Sequence, residues 1–441
     1  MLSMIVLVWP LFTTPSYILT SYYSAQNFEM LSKSSILLLM TLSEELQWRG
    51  FANQTTFQEV SDINTPRTFY LGVDPSASSM HIGNLAQVML VRHLIKNGHK
   101  AIVLVGGATG MIGDPKEDAE RELKSLDEIA TNKAGIAAQY KQLLEGEAFT
   151  LVDNYDWFKD MGYLDFLRDI GKHFSMTQLL DREFIKARIG EGGVGISYAE
   201  FSYSLIQGYD FLHLFRQHEA TMQIGGSDQW GNMLSGAQMI RKLEGKEAHV
   251  WTVPLVIDKS SGKKFGKSEG NAVWLDAEMT SPYRFYQFWL NVDDIGVGDL
   301  LKLFTDITPE AHDSLIRSFN EKPFERSAQK YLAYEVTALV HGKDNAEQAR
   351  NVTSTLFGDT PFTRLLSEEI DMLAREIPTT TASTIVDALV MSGVATSNGE
   401  ARRLVDGGAI SINNEKLSSS DAQLTAPALI KKGKNTFLLV K

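Results

Sequence analysis

A chain of 441 residues, 44% of them apolar, is long enough for about two to four domains with cores of their own. The absence of cysteine excludes disulfides, thiolate nucleophiles and cysteine-zinc sites, and it is typical of a protein of the reducing cytoplasm. The formal net charge of −12 argues against general coating of nucleic acid, although a local basic surface remains compatible with RNA binding.

Residues 1–39 contain one basic and one acidic residue between apolar pieces such as "MIVLVWPLF" and "SSILLLM". A secretory signal requires a positive start, a transit peptide requires several arginines, and a membrane span requires about twenty continuous apolar residues. None of these patterns is present. We interpret this extension as disordered or as the product of an upstream start, with Met30 or Met40 as the working initiator. A cleaved signal that ends before Gln26 is the alternative.

The chain becomes regular after Met40. The run "RTFYLGVD" predicts a buried strand, "SMHIGNLAQVMLVRHLIKNGH" has apolar residues at helical spacing, and "KAIVLVGGATG" predicts a second strand that ends in a glycine turn. Further strand-like runs follow at "AFTLVDN", "ATMQIGG" and "VWTVPLVI". We therefore predict an α/β catalytic domain over residues 40–275, built on a doubly wound parallel, Rossmann-type nucleotide-binding sheet.

Three polar clusters, "DPSASSMHIGN", "GGATGMIGDP" and "GGSDQWGN", come directly after predicted strands, where the ligands of doubly wound sheets bind. In the first cluster, His81 and Asn84 are three residues apart at a helix start, where free N–H groups favour an anion. Gly83 lets a ligand approach the backbone. A lone histidine at such a position is usually structural, so the cluster becomes informative only in combination with other motifs.

The run "FSYSLIQGYDFLHLF" predicts a helix on which Tyr203, Gln207 and Asp210 follow at i, i+4 and i+7. These side chains share one face and have apolar neighbours, so we expect them to form a polar pocket and not a wet surface. For any one of them, a satisfied buried polar group is the alternative.

The stretch "SSGKKFGKSEGN", residues 260–271, combines lysines, glycines and serines. It is not a P-loop, because Gly262 and Gly266 are separated by three residues and a P-loop requires four. We interpret Lys264 and Lys267 as phosphate-binding side chains, against the alternative of a solvated lysine tract.

The rest of the chain divides into three parts. Residues 276–358 predict an α-helical domain, and "GDTPFT" opens a linker over residues 359–373. Residues 374–441 predict a small α+β domain, in which a second helix carries Arg402 and Arg403 and a hairpin contains "KKGK". We expect these basic side chains to gather on one surface that faces RNA phosphates.

Two signatures point to a family. "HIGN" resembles the His-Ile-Gly-His signature of class I aminoacyl-tRNA synthetases, and "KFGKS" resembles their Lys-Met-Ser-Lys-Ser loop. Together with "TFYLGVDPSASSMHIGN", "LVGGATGMIGDP", "SYSLIQGYDFL" and "QIGGSDQWGN", they resemble the bacterial-type tyrosyl-tRNA synthetases. The resemblance runs from about Leu42 to the C-terminus, and residues 374–441 resemble an S4 RNA-binding domain.

The resemblance implies activation of L-tyrosine by ATP, followed by transfer of tyrosine to the 3′ end of tRNA(Tyr). ATP would be a substrate that carries its own Mg²⁺, and the protein would be a cytoplasmic homodimer with no metal site of its own and no membrane contact. By resemblance, the catalytic residues are His81, Asn84, Lys264, Lys267, Ser76 and Arg121. The tyrosine ammonium would be bound by Tyr203, Gln207 and Asp114, and the phenolic hydroxyl by Asp210 and Tyr70, with Gln223 and Gln229 completing the site. Adenosine would lie near Asp74, Gly83, Gly226 and Asp228, with Lys267 on the phosphates, and tRNA would contact Arg402 and Arg403.

The sequence departs from the family pattern in two places. Asn84 replaces the second signature histidine, which keeps a hydrogen-bond donor but loses the possible positive charge. The loop "GDPKEDAERELK" lacks the family's Gly-Lys pair; Arg121 fits its family role, and a substituting role for Lys116 stays open.

Three alternatives remain. A tryptophanyl-tRNA synthetase shares the core but has no S4 tail and no use for a carboxylate at Asp210. Another nucleotidyltransferase with a His-x-Gly signature would lack the RNA module. A noncatalytic RNA-binding relative would not be expected to retain Asp114, Asp210 and both lysines.

Overall fold

A computed structural model describes residues 40–115, 123–180, 183–257, 259, 262, 265, 267, 268 and 271–441. The predicted extension, residues 1–39, lies outside the described residues. The first described helix is α1, Leu42–Arg49, which begins with reciprocal capping hydrogen bonds between Thr41 and Glu44. It ends at Gly50, whose left-handed backbone (φ 86°) stops the helix.

Five parallel strands form the central sheet, in the order β3-β2-β1-β4-β5. The strands are β1, Thr68–Val73; β2, Lys100–Val105; β3, Phe149–Val152; β4, Ala220–Gly226; and β5, His249–Val253. The strand order reverses between β1 and β4, so the crevice at the carboxyl ends of these two strands is the expected ligand site. The predicted doubly wound parallel sheet is confirmed.

Helices cover both faces of this sheet, which explains why β1, β2 and β4 are nearly continuous apolar runs. The helices are α2, Ile82–Lys96; α3, Gly107–Ile112; α4, Leu126–Leu143; α5, Tyr155–Phe158; α6, Tyr163–Asp169; α7, Met176–Leu180; α8, Glu183–Ile189; α9, Tyr198–His218; and α10, Trp230–Glu244. Two short antiparallel strands follow, β6, Lys267–Ser268, and β7, Asn271–Ala272.

A second group of helices packs beside the sheet domain. It consists of α11, Pro282–Leu290; α12, Val297–Phe304; α13, Pro309–Glu321; α14, Ser327–His341; α15, Lys343–Phe357; and α16, Ser367–Glu376. Arg49 at the end of α1 joins the two groups, since its guanidinium donates to the carbonyl oxygens of Lys302 (3.0 Å) and Thr305 (2.9 Å). Carbonyl groups at the end of α12 have no partner within their own helix, so this buried arginine satisfies them.

The C-terminal part forms a second five-stranded sheet, in the order β10-β9-β11-β12-β8, with two helices. Its elements are β8, Thr379–Thr380; α17, Ile385–Met391; α18, Asn398–Asp406; β9, Ile410–Ile412; β10, Glu415–Lys416; β11, Ala428–Lys432; and β12, Thr436–Val440. Leu429, Phe437 and Leu439 pack into the same apolar core as Leu373 of α16. The tail is therefore docked on the helical part through buried apolar side chains.

Two lysines of the tail donate to backbone carbonyl groups, and its two arginines are exposed. Arg402 and Arg403 are exposed on α18, whereas Lys431 donates to the Leu356 carbonyl (3.2 Å) and Lys432 donates to the Val394 carbonyl (2.9 Å). Leu356 lies in the last turn of α15, where carbonyl groups lack intrahelical partners. The pKa of Glu400 on α18 is lowered by hydrogen bonds from Thr396 and further by the charges of Lys432 and Arg403, so Lys432 lies near the arginine helix. The gathering of these basic side chains on one surface stays a prediction.

Candidate active site

A cavity of about 250 Å³ opens at the carboxyl ends of β1, β2 and β4. The structure brings twelve of the predicted site residues to its wall, namely Tyr70, Asp74, Ser76, Asn84, Asp114, Tyr203, Gln207, Asp210, Gln223, Gly226, Asp228 and Gln229. They come from β1 and the chain after it, from β4, from α2 and α9, from the chain after α3 and from the turn before α10, so distant parts of the sequence converge on one crevice. His81 and Gly83 lie beside Asn84 at the start of α2.

One end of the cavity carries a buried carboxylate. Asp210 is 2% exposed, and it accepts hydrogen bonds from Asn154 Nδ2 (3.1 Å) and Trp157 Nε1 (2.9 Å). Burial raises the pKa of the Asp210 carboxyl to about 7, even though both hydrogen bonds lower it. Among the described residues, the buried hydroxyl of Tyr70 has no hydrogen-bond partner. This end therefore offers a carboxylate and an unpaired hydroxyl to a polar ligand group.

The middle of the cavity is rich in hydrogen-bond acceptors. Asp114 accepts from Gln229 Nε2 (2.8 Å) and from Asn232 Nδ2 (3.3 Å), and the Tyr203 hydroxyl donates to Asp74 (2.8 Å). Burial raises the pKa of Tyr203 well above its ordinary value, and Asp74 adds to this effect, so the phenol stays protonated and keeps donating.

Two buried amide oxygens in the cavity lack partners within the described chain, Gln207 Oε1 and Gln223 Oε1. Buried acceptors without partners are rare in folded proteins, because each costs the free energy of a lost hydrogen bond. A ligand that brings N–H donors would satisfy them. Together with Asp114, they suit an ammonium group, which has three donors and a positive charge.

The start of α2 is shaped by the signature residues. His81 is the N-cap, where its Nδ1 accepts from the Gly83 amide (3.0 Å), and Asn84 Oδ1 accepts from the His81 amide (3.1 Å). The cap uses the amide oxygen of Asn84, so its NH₂ group is the part that suits an anionic ligand. A side chain at position 83 would clash, since its Cβ would lie 2.7 Å from the His81 ring.

The chain that follows the lysine stretch is tied to this helix start. The Ile82 amide donates to the Val273 carbonyl (3.0 Å), the Leu275 amide donates to the Met80 carbonyl (2.9 Å), and His81 and Trp274 form an isolated β-bridge. Residues 80–82 and residues 273–275, which are distant in sequence, are thus adjacent in space.

Several predicted cations cannot be located in the same way. Lys264, Arg121 and Lys116 lie outside the described residues. The backbone of Lys267 is in β6, opposite Ala272, but its side chain is not described.

Sequence reasoning missed two polar residues next to the cavity. Asn154 is fully buried and joins the Ala108 amide (2.7 Å) and the Thr109 hydroxyl (3.1 Å) to Asp210, and Trp157 donates to the same carboxylate. Asn154 comes directly after β3 in "VDNYDW", so the rule that polar residues after strands reach the ligand edge would have found it, whereas nothing in the sequence singles out Trp157.

A larger cavity of about 470 Å³ lies between α1, the chain after β5 and α12. Its wall is mainly apolar, with Trp48, Val256, Phe265 and Leu300 among its residues. It contains none of the polar side chains that converge at the sheet edge, so we assign the substrates to the smaller cavity. Within the described ranges, no three side chains of the His, Asp and Glu type are grouped to hold a metal ion, and no helix is long and apolar enough to cross a membrane.

The comparisons with known proteins cover both halves of the chain. Residues 62–358 match the family model "tRNA synthetases class I (W and Y)", and residues 369–440 match the "Tyrosine--tRNA ligase SYY-like C-terminal domain". A tyrosine--tRNA ligase of Lactococcus lactis subsp. cremoris is 42% identical over 399 residues, which cover 88% of this chain and 94% of that protein. Tyrosine--tRNA ligase 2 of Bacillus cereus is 42% identical over 425 residues, which cover 91% of this chain and all of that protein.

Solved structures give the same result. A C-terminally truncated mitochondrial tyrosyl-tRNA synthetase of Coccidioides posadasii superposes with a TM-score of 0.62 at 30% identity. The match covers 74% of this chain and 93% of that one.

Proposed function

Since the chain belongs to the tyrosine--tRNA ligases of the class I aminoacyl-tRNA synthetases, we propose that the crevice at the carboxyl edge of its sheet binds tyrosine and ATP side by side. The enzyme activates tyrosine with ATP to tyrosyl-adenylate and pyrophosphate, and it then transfers tyrosine to tRNA(Tyr). The family model covers tryptophan and tyrosine enzymes alike, and the second match, to the tyrosine-specific C-terminal domain, decides for tyrosine.

The observation that carries the site assignment is that the Tyr70 hydroxyl, Gln207 Oε1 and Gln223 Oε1 are buried in the cavity without hydrogen-bond partners in the described chain. Gln207 Oε1 and the Asp114 carboxylate suit the substrate ammonium, with Tyr203 and Gln223 beside them. At the other end, the Asp210 carboxylate accepts a hydrogen bond from the phenolic hydroxyl, and Tyr70 supplies its own hydroxyl. Tyrosine has the two polar ends that this cavity would satisfy.

The chemistry requires positioning more than proton transfer. The tyrosine carboxylate is already ionised at pH 7, so it attacks the α-phosphate of ATP without a general base, and pyrophosphate leaves from the opposite side. His81, Asn84 and Ser76 border the space for the phosphates, and Lys264, Lys267 and Arg121 neutralise the charge that develops on pyrophosphate. Mg²⁺ carried by the nucleotide would shield the same charge.

The adenosine lies against Asp74, Asp228 and the two glycines of the site. A Cβ at position 226 would lie 2.5 Å from the Asp228 carboxylate, and a Cβ at position 83 would meet the His81 ring, so glycine at both positions leaves room for these site side chains. Gln229 holds Asp114 in place for the neighbouring tyrosine.

Transfer to tRNA uses the rest of the chain. We assign residues 40–275 to catalysis, residues 276–358 to the helical domain, residues 359–373 to the connection and residues 374–441 to RNA binding, with Arg402 and Arg403 on phosphates. The cysteine-free composition supports a cytoplasmic location.

The active enzyme is a homodimer. Eight of the eighteen exposed large apolar side chains in the described chain lie between residues 155 and 198, including Leu164 (77% exposed) and Val194 (66%). A hydrogen bond between Tyr163 and Tyr198 brings two of these side chains together. Such a patch is typical of a surface that a second copy covers. Analytical ultracentrifugation of Leu164→Glu should show a monomer, whereas Phe324→Glu, at a site 81% exposed elsewhere, should leave the dimer intact.

The site assignment is tested by Asp114→Asn in tyrosine-dependent ATP–pyrophosphate exchange. The amide keeps the shape of the side chain but loses the charge that attracts the ammonium, so KM for tyrosine should rise by about tenfold or more while KM for ATP changes little. Asp359→Asn, an exposed position, is the control. An equal rise in both KM values, or no rise at all, would contradict the assignment.

A further inference from the structure

Trp157 reaches the specificity carboxylate from a segment with little structure of its own. Its indole Nε1 donates to Asp210 at 2.9 Å, but α5 is only four residues long and buries none of them. A single helical turn cannot by itself fix the orientation of an indole ring. Something outside α5 must keep the N–H group directed at the carboxylate.

His213 occupies the position that does this. Its ring stacks on Trp157, with ring centroids 4.3 Å apart and planes 16° from parallel. His213 follows Asp210 by three residues on α9, so both side chains emerge on the same side of the helix. The indole is therefore held at its edge by Asp210 and on its face by His213. Phe158 and Tyr209, with ring centroids 5.5 Å apart, form a second aromatic contact between α5 and α9.

Both rings of the Trp157–His213 stack are uncharged. Burial lowers the pKa of His213, and the neighbouring His218 and Arg216 lower it further, so the imidazole is neutral at pH 7. A flat ring of the same size could take its place without a change of charge.

We propose that His213 is a positioning residue for substrate specificity, which holds the Trp157 indole in the plane where it supports the Asp210 carboxylate. This proposal rests on the proposed role of Asp210 in binding the phenolic hydroxyl. Asp210 can discriminate tyrosine from phenylalanine only while its oxygens stay fixed, and the hydrogen bond from Trp157 fixes one of them. His213 then acts on discrimination without touching the substrate.

The test is the ratio of kcat/KM for tyrosine to that for phenylalanine in ATP–pyrophosphate exchange. His213→Ala should lower this ratio by roughly two- to tenfold, mainly by raising KM for tyrosine. This factor corresponds to the interaction free energy of one aromatic pair. His213→Phe, which keeps a flat ring, should retain the parent ratio. His218→Ala, an exposed histidine at the end of the same helix, is the matched control and should have no effect.

A double-mutant cycle separates positioning from simple packing. Trp157→Phe keeps a ring on His213 but removes the N–H donor, so it should lower the ratio by about tenfold or more. In the Trp157→Phe background, His213→Ala should cause no further loss. If the loss persists in that background, or if His213→Ala has the parent ratio, the proposal is wrong. His213→Gln replaces His213→Ala if thermal unfolding shows that the alanine variant is not folded.

The same assay distinguishes the proposed role of His213 from the proposed role of Asp210 on which it rests. If Asp210→Asn keeps the parent ratio, the role of Asp210 is wrong and His213 has nothing to position. If Asp210→Asn loses the ratio but His213→Ala does not, only the role of His213 is overturned.

Discussion

Replacing Asp210 by asparagine should impair tyrosine activation and stabilise the empty enzyme at the same time. Burial raises the pKa of Asp210 from its ordinary value of 3.8 to about 7, so the folded state binds a proton that the unfolded state has already lost at pH 5 to 7. The free energy of unfolding therefore falls as pH rises through this interval. Asparagine carries no charge and does not contribute this loss.

The difference in the free energy of unfolding between Asp210→Asn and the parent follows from the pKa shift of Asp210. Each pH unit between the two pKa values corresponds to about 1.4 kcal/mol, so the buried carboxylate costs about 4 kcal/mol above pH 7. Asparagine offers one acceptor to the two donors Asn154 and Trp157, and the hydrogen bond that is lost costs about 1.5–3 kcal/mol. A net stabilisation of roughly 1–2.5 kcal/mol remains at pH 8. Because the folded carboxyl group is only half ionised at pH 7, the advantage of the variant should shrink by roughly 2 kcal/mol between pH 7 and pH 5.

The catalytic effect has the opposite sign. Loss of a hydrogen bond between a charged group and the substrate hydroxyl should lower kcat/KM for tyrosine by about 10- to 100-fold. Thermal unfolding of the parent, Asp210→Asn and the exposed control Asp359→Asn from pH 5 to pH 8 measures the first effect, and pyrophosphate exchange measures the second. If the unfolding temperatures of Asp210→Asn and the parent differ by the same amount at every pH, the reasoning is refuted, because burial would then not raise the pKa of the Asp210 carboxyl group.

Four further predictions concern the rest of the chain. Lys267→Ala should lower the rate of tyrosyl-adenylate formation in stopped-flow measurements and leave tyrosine affinity nearly unchanged, because the lysine acts on charge that develops in the transition state. A chain that begins at Met40 should fold and activate tyrosine like the full chain, as measured by circular dichroism and pyrophosphate exchange. Removal of residues 378–441 should leave exchange within a few-fold but abolish charging of tRNA, and it should lower the unfolding temperature because the core beneath the tail becomes exposed. Neutralising Arg402 and Arg403 should flatten the salt dependence of tRNA binding in filter-binding assays.

Each of these predictions can be contradicted by a specific result. Weaker tyrosine binding with an unchanged rate would remove Lys267 from the phosphates, and loss of activity on trimming to Met40 would give the extension a role. Full charging without the tail would mean that it is not the tRNA module, and an unchanged salt slope would remove the two arginines from the phosphate contacts.

The parts of the fold that could be predicted are those that local patterns specify. β1, α2 and β2 follow from an apolar run, a helical period and a second run that ends in glycine, and the cavity follows from the polar residues after the strands. The face of α9 was predictable because Tyr203, Gln207 and Asp210 share a helical period.

Contacts between distant segments could not be predicted in this way. Lys431 looks like a phosphate ligand in "KKGK", but its partner is the Leu356 carbonyl, 75 residues earlier, which becomes available only when the tail docks on α15. Trp157 looks like a core aromatic, and only the placement of α5 against α9 shows that its N–H group reaches Asp210. Both roles depend on tertiary packing and leave no periodic signal in the sequence.

Amino-acid-dependent ATP–pyrophosphate exchange on the purified protein, with tyrosine, phenylalanine and tryptophan compared at equal concentrations, tests the central assignment most directly. The buried Asp210 carboxylate and the unpaired Tyr70 hydroxyl require a phenolic hydroxyl, so we predict exchange with tyrosine and little with the other two. Exchange that tryptophan supports as well as tyrosine, or no exchange with any of the three, would contradict it.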